Sequence, residues 1–256
     1  MNILPLKSAI SLAALLLCAG SAAAQTNITL PHNGEGRLEA TDPATAEGER
    51  YDDHVIRLAA GQRVRLSAAS ETFDTILQVY QAGSMGQPIA ENDDAGDALN
   101  SRMTFTAPGA GNYVVRVQSF PESGMGVYRL TAETAPPLPA PVTVPTATEQ
   151  GEWRVFRGTL QAGDGEIDGR RVDDYQITLR AGETVILRLD TDAFDPIVML
   201  MPVGDREGSP LEKDDDTGAG LNALLGFTSE AADHYIVRVT GFSENSEGAY
   251  TLRIGN

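Results

Sequence analysis

The chain has 256 residues, 41% of them hydrophobic and 21% charged, with a single cysteine. That is the composition of a globular protein with room for one large domain or two small ones. Its 36 acidic residues against 19 basic ones leave a net charge of −17, which repels nucleic acid and anionic lipid and attracts divalent cations.

Residues 1–24 read as an address. One positive charge, Lys7, precedes an apolar run from Ala9 to Ala19, and Ser21-Ala22-Ala23-Ala24 closes it before Gln25. Charged start, short apolar middle and small-residue end are the three parts of a cleaved export signal. The run is too short for the roughly 20 residues of a membrane-spanning helix. Leu17 stands before Cys18, where a lipoprotein cleavage site needs a small residue. Cleavage near Ala24 leaves a protein without cysteine, in the periplasm or secreted. Disulfides, thiol catalysis and cysteine–zinc sites are then excluded.

The remainder is written twice. Asp52-Asp53-His54-Val55-Ile56-Arg57-Leu58 overlays Asp173-Asp174-Tyr175-Gln176-Ile177-Thr178-Leu179, and Phe73-Asp74 overlays Phe194-Asp195. After one inserted residue the match continues. Asp93-Asp94 meets Asp215-Asp216, and Leu99-Asn100 meets Leu221-Asn222. Tyr113, Arg116, Phe120, Gly126 and Tyr128 then meet Tyr235, Arg238, Phe242, Gly248 and Tyr250. Each copy, at about 100 residues, is too long for a solenoid repeat and should own its core.

Within each copy, short alternating runs such as Val64-Arg65-Leu66 and Val114-Val115-Arg116-Val117 are broken by Gly- and Asp-rich turns. This pattern predicts antiparallel β-sandwiches. Arg116 and Arg238 should lie on solvent faces with their stems along the sheet. Tyr113 and Tyr235, at strand starts, should tie a loop back to the strand as a tyrosine corner does. Between the copies, residues 134–145 hold five of the fourteen prolines, which favours an extended spacer of roughly 35 Å. The expected organisation is an export signal at 1–24, a first sandwich at 25–133, a Pro-rich linker at 134–150 and a second sandwich at 151–256.

The order Asp-Asp, Ala-Gly-x-x-Val, Phe-Asp, Asn-Asp-Asp-x-Gly, Leu-Asn, Gly-x-Tyr-x-Val-Arg-Val and Gly-x-Tyr-x-Leu resembles the bacterial pre-peptidase C-terminal domain family. Asp52–Leu130 carries the pattern most fully, with Glu91-Asn92-Asp93-Asp94 and Leu99-Asn100-Ser101. Asp173–Leu252 departs from it at Lys213-Asp214-Asp215-Asp216 and at Ala223, which stands in the place of the serine. The resemblance implies an all-β fold of two tandem jelly-roll-like sandwiches. It also implies a non-catalytic module that serves secretion, maturation or attachment of enzymes, akin to collagenase collagen-binding domains, some of which hold calcium.

The concentrated polar groups are two acidic loops: Asn92, Asp93, Asp94, Asp97 and Asn100 in the first copy, and Asp214, Asp215, Asp216 and Asn222 in the second. Asx residues followed by glycine are turn formers first; their oxygens also suit a calcium ion, which takes six to eight of them. Asp74 and Asp195 read as turn formers. Asp164-x-Glu166-x-Asp168-Gly169 resembles the start of an EF-hand loop, but Tyr175 occupies the place of its bidentate glutamate, so it is set aside. The three histidines are isolated, His54 aligns with Tyr175, and no nucleophile, metalloprotease or phosphate-loop motif occurs. The expected role is an exported, non-enzymatic binding or accessory protein for a protein, extracellular-matrix or cell-surface ligand. The alternative is a secreted hydrolase using a facing pair of carboxylates in a cleft. Trp153, without counterpart in the first copy, is either packed under the linker or a ligand contact.

Overall fold

The computed structural model describes residues 25–94, 99–146, 151–218, 220 and 222–255. It is all-β, with no helix among the described residues. The first sandwich has a five-stranded sheet of β1 (Thr26–Ile28), β3 (Tyr51–Leu58), β8 (Gly111–Ser119), β5 (Thr75–Gln81) and β6 (Ala90–Asn92), in that order. Facing it is a four-stranded sheet of β2 (His32–Arg37), β9 (Val127–Thr134), β4 (Arg63–Ser70) and β7 (Ser101–Thr106).

The second sandwich repeats this order. One sheet runs β10 (Val142–Thr143), β13 (Arg170–Leu179), β18 (Asp233–Gly241), β15 (Pro196–Pro202) and β16 (Glu212–Asp214), with β12 (Gly165–Ile167) forming a hairpin with β13. The other runs β11 (Arg154–Leu160), β19 (Gly248–Gly255), β14 (Thr184–Asp190) and β17 (Ala223–Thr228). All pairings are antiparallel except the first strand of each unit, β1 on β3 and β10 on β13.

Period-two alternation builds both cores. On β4, Val64, Leu66 and Ala68 turn inward; on β14, Val185, Leu187 and Leu189 do the same. Each sandwich has its own apolar cluster, around Leu66, Leu77, Val115 and Leu130 in one and around Leu187, Val198, Val237 and Leu252 in the other. Full burial of each such side chain contributes about 1.5–3 kcal/mol. Gly61 and Gly182, with φ of 71° and 76°, make the tight turns into β4 and β14 that a residue with a Cβ would strain. The tyrosine corners form as expected. Tyr113 Oη donates to Gly109 O at 2.7 Å, and Tyr235 Oη shares a 2.7 Å hydrogen bond with Ser229 Oγ.

Arg116 and Arg238 are not the solvent-facing residues that alternation suggests. They do lie on the outer face of their sheets, but Arg238 is only 3% exposed. Asp174, opposite it on β13, accepts from Arg238 Nε and Nη2 at 2.8 Å each and also pairs with Arg206 at 2.5 Å. In the first sandwich Asp53 grips Arg116 in the same fork, at 2.8 and 3.0 Å, and the guanidinium lies 3.5 Å over the Tyr51 ring. Two-pronged pairing and stacking are what guanidinium geometry favours.

The Pro-rich segment is docked rather than free. Val142–Thr143 pairs with Tyr175–Gln176, Val144 is buried in the second core, and the Pro136 and Pro139 carbonyls accept from Arg63 and Arg206 at 2.7 and 2.8 Å. The two sandwiches also touch directly. Strand β7, the edge of its sheet, meets the β12–β13 turn: Thr104 N–H donates to Asp168 Oδ1 at 2.6 Å, and Asp168 N–H returns a bond to Thr104 Oγ1 at 3.3 Å. Arg102 pairs with Glu244 at 2.6 Å and Arg65 with Glu166 at 2.7 Å; buried Arg63 pairs with Glu207. Covering an edge strand in this way blocks unwanted strand pairing.

Removing one partner of a buried, hydrogen-bonded ion pair leaves an uncompensated charge. Asp174→Ala is therefore expected to lower unfolding free energy by about 3–5 kcal/mol. Asp53→Ala should cost less, because Arg116 is the more exposed of the two arginines. Urea denaturation of both variants checks the size and the order.

Candidate functional site

Three polar clusters recur or contrast between the units. The first is a bridge from sheet to sheet. Asp52, turned inward from β3, accepts a 2.8 Å hydrogen bond from Tyr128 on β9, and Asp173 accepts one from Tyr250 at 2.5 Å. Burial and the adjacent carboxylate push both tyrosine hydroxyls well above their usual range, and burial raises both aspartates. The tyrosine rings need room. A Cβ on Gly36 would come within 2.1 Å of Tyr128, and one on Gly158 within 2.2 Å of Tyr250, so glycine is required in these strands for close approach.

In the first sandwich the bridge continues to His54, whose Nε2 lies 2.8 Å from Tyr128 Oη. The tyrosine proton goes to Asp52, so His54 Nε2 must carry a hydrogen and donate. Its Nδ1 is buried with no partner, and the His32 ring lies 6.5 Å away across a cavity of about 180 Å³. Burial first, then the neighbouring His32, lowers the His54 pKa to about 4. In the second sandwich Tyr175 takes this place and closes the chain with a 2.7 Å bond to Tyr250. An Asp–Tyr–His chain resembles an acid–base relay, but among the described residues no serine, cysteine or threonine is hydrogen-bonded to His54 as a nucleophile would be.

The acidic loops form the third cluster, and the structure divides their residues into two kinds. Asn92 and Asp214 cap the next strand: Asn92 Oδ1 accepts from Arg102 N–H at 3.3 Å and Asp214 Oδ2 from Leu224 N–H at 2.7 Å. Asn100 and Asn222 are equivalent too, accepting from Ser70 N–H at 3.1 Å and Thr191 N–H at 3.0 Å. These four do the turn chemistry of Asx residues.

Asp93 and Asp94, and likewise Asp215 and Asp216, face a residue read from the sequence as a turn former. Asp74 and Asp195 each keep a buried Oδ1 without any partner. Burial raises both pKa values, and the charges of Asp93–Asp94 and Asp215–Asp216 raise them further. Asp97 lies outside the described residues. An orphaned carboxylate oxygen beside two more carboxylates is the donor chemistry that calcium takes. No set of three or more carboxylate or imidazole residues stands assembled around one point among the described residues. The sequence signal for Asp74 and Asp195 was the repeated Phe-Asp pair. The buried ring of Phe73 anchors one of these, and partly buried Phe194 anchors the other.

The other acidic motif is spent elsewhere. Glu166 and Asp168 bind Arg65 and Thr104 across the contact between sandwiches, and burial raises the Asp168 pKa. Beside that contact lies an open cavity of about 610 Å³, lined by Arg63, Phe105, Leu138, Arg206 and Glu207. Of its charged groups, Arg63, Arg206 and Glu207 are engaged in ion pairs, and Asp205 accepts from the Glu207 and Gly208 N–H groups.

Residues 50–119, from the end of the turn before β3 through β8, match the family model of the bacterial pre-peptidase C-terminal domain. Over these residues the first sandwich is similar to that family. Solved structures similar to the chain include the pre-peptidase C-terminal domain of collagenase from Bacillus anthracis, at 17% identity and a TM-score of 0.34, over 43% of this chain and 94% of that one. Another is the Aeromonas hydrophila PliG, a periplasmic inhibitor of g-type lysozyme, at 15% identity and a TM-score of 0.35, over 44% of this chain and 93% of that one. No curated protein matches the chain. Among the described residues no helix is long and apolar enough to cross a membrane.

The His54 environment sets a pH dependence. Its folded-state pKa of about 4 lies below the ordinary 6.5, so the folded protein binds fewer protons than the unfolded chain between those values. The stability contribution is complete above pH 6.5 and is lost as pH falls toward 4, by up to about 3 kcal/mol. His54→Tyr, which installs the residue of the second unit, should remove that loss. Urea titrations of both proteins from pH 7 to 4 measure it.

Proposed function

We propose that the protein is an exported, non-enzymatic binding or accessory module, with a signal at 1–24, family-type sandwiches at 25–133 and 151–256, and a linker at 134–150. Its partner is a protein, an extracellular-matrix component or a cell-surface ligand; the net charge of −17 disfavours nucleic acid. The observation that carries this reading is the family match at residues 50–119. The hydrolase alternative asks for two carboxylates facing each other across a cleft. In the large cavity Arg63, Arg206 and Glu207 are each in an ion pair, and the other carboxylate, Asp205, accepts from the Glu207 and Gly208 N–H groups.

The module is further proposed to bind calcium at both acidic loops, with Asp74, Asp93 and Asp94 on one side and Asp195, Asp215 and Asp216 on the other, Asp97 completing the first loop. Asn92, Asn100, Asp214 and Asn222 hold the loops in shape. The orphaned Oδ1 atoms of Asp74 and Asp195 favour this reading. Their pKa values are raised in the folded state, so the metal-free protein loses stability as pH rises through the carboxylate range. A bound cation reverses that penalty.

Calcium at a hundred times its dissociation constant should add about 2.7 kcal/mol. Thermal unfolding with calcium, with magnesium and with chelator tests this. A calcium-specific rise, diminished in Asp74→Asn and Asp195→Asn and fading on acidification, is expected. Equal shifts with both ions would reduce the loops to turn chemistry. A family role in binding is tested separately, by capture of matrix proteins or cell surfaces by the purified protein against a denatured control.

A further inference from the structure

The contact between the two sandwiches uses parts that the repeat supplies twice. On the first sandwich the receiving surface is the outer face of β4 and β7, with Arg63, Arg65, Arg102, Thr104 and Thr106. The second sandwich inserts the β12–β13 turn with Glu166 and Asp168, and adds Glu207 and the Glu244 that follows Phe242. Each half of this joint has a counterpart left over within the chain.

The spare inserting element is the turn before β3. The antiparallel bridge between Ala44 and Arg50 corresponds to the β12–β13 pairing. Residues 39–50 hold Glu39, Asp42, Glu47, Glu49 and Arg50, a net charge of −3. Glu122, two residues after Phe120, stands where Glu244 stands after Phe242. Beside this turn Phe120 and Met125 are exposed, at 40% and 44%, on the rim of a cavity of about 460 Å³ that Glu47, Glu49 and Glu122 also line.

The spare receiving surface is the outer face of β14 and β17. Ile186, Leu224, Gly226 and Thr228 stand where Arg65, Arg102, Thr104 and Thr106 stand in the first unit. Ile186 and Leu224 are exposed, and nothing lies within 4 Å of a Cβ built on Gly226. Along one row of this sheet Leu224, Arg188, Arg253 and Val155 are neighbours. Trp153, half-exposed, lies over Gly255 in the row beside it. With Arg157 the face has three arginines against Asp190, which binds both Arg188 and Arg253. It is a positive, partly apolar surface on a strongly acidic protein.

We propose that this face receives the 39–50 turn and the Phe120–Met125 loop of a second copy of the chain, so that copies associate head to tail. The charges are complementary, and Phe120 and Met125 supply apolar groups for Ile186 and Leu224. The mode of contact continues the one already formed inside the chain. Because the two surfaces differ and lie on different sandwiches, each copy keeps one of each free. Such a heterologous contact, unless its rotation closes a ring, yields growing linear oligomers.

Sedimentation velocity from micromolar to near-millimolar protein tests this. The weight-average mass should climb past that of a dimer with concentration and fall in high salt, which screens the charges. The receiving face is blocked in Ile186→Glu/Leu224→Glu, and the inserting element in Glu47→Arg/Glu122→Arg. Both doubly substituted proteins should stay monomeric while melting as the unsubstituted protein does, since all four positions are on the surface. Mixed in equal amounts they retain one good surface each, and should stop at a dimer. A monomer at every concentration, a face or turn variant that still oligomerises, or a closed dimer that ends growth in the unsubstituted protein would each overturn the proposal. If one pair of substitutions unfolds the protein, the other pair alone still decides, because it must abolish growth.

Discussion

The adjacent aspartates on β3 and β13 constrain the rest of the structure. Asp52 and Asp173 point inward and hold a tyrosine of the opposite sheet; Asp53 and Asp174 point outward and hold an arginine of the neighbouring strand. One side chain fixes the sheet-to-sheet distance and the other the strand register. A slip of one residue would exchange the two faces, turning Asp53 and Asp174 into the core away from their arginines and Asp52 and Asp173 out of reach of their tyrosines. The requirement reaches further, since glycine must then occupy positions 36 and 158 beneath the tyrosine rings.

Much of this was legible in the sequence, because it is local or repeated. Alternation predicted the strands, the two-fold writing predicted two sandwiches, and Tyr113 and Tyr235 take the corner role their position suggests. What escaped is long-range. Alternation places Arg116 and Arg238 on outer faces correctly, but cannot say that Tyr51 or Arg206 covers those faces. Proline content kept residues 135–141 out of a ladder, yet gave no sign that Val142–Thr143 joins β13. In the acidic loops, composition could not separate the four Asx residues that cap backbone from the carboxylates facing Asp74 and Asp195.

The two units are built alike but are not interchangeable. His54 in one is Tyr175 in the other, which gives only the first an imidazole on its buried bridge. Arg63, Arg65 and Arg102 correspond to Thr184, Ile186 and Leu224, so the face that is satisfied by acidic groups in the first sandwich is open in the second. The interior keeps the shared chemistry, and the differences sit where the units meet each other or a partner.

The most direct test of this account is a double-mutant cycle between Asp173→Asn and Tyr250→Phe, with unfolding free energies from urea titration. A hydrogen bond to a charged group contributes about 1.5–3 kcal/mol, and a cycle isolates it from the separate costs of each change. A coupling of that size would establish the aspartate–tyrosine bridge as a link between the sheets. Additive losses, with no coupling, would mean that the two sheets are held by apolar packing alone.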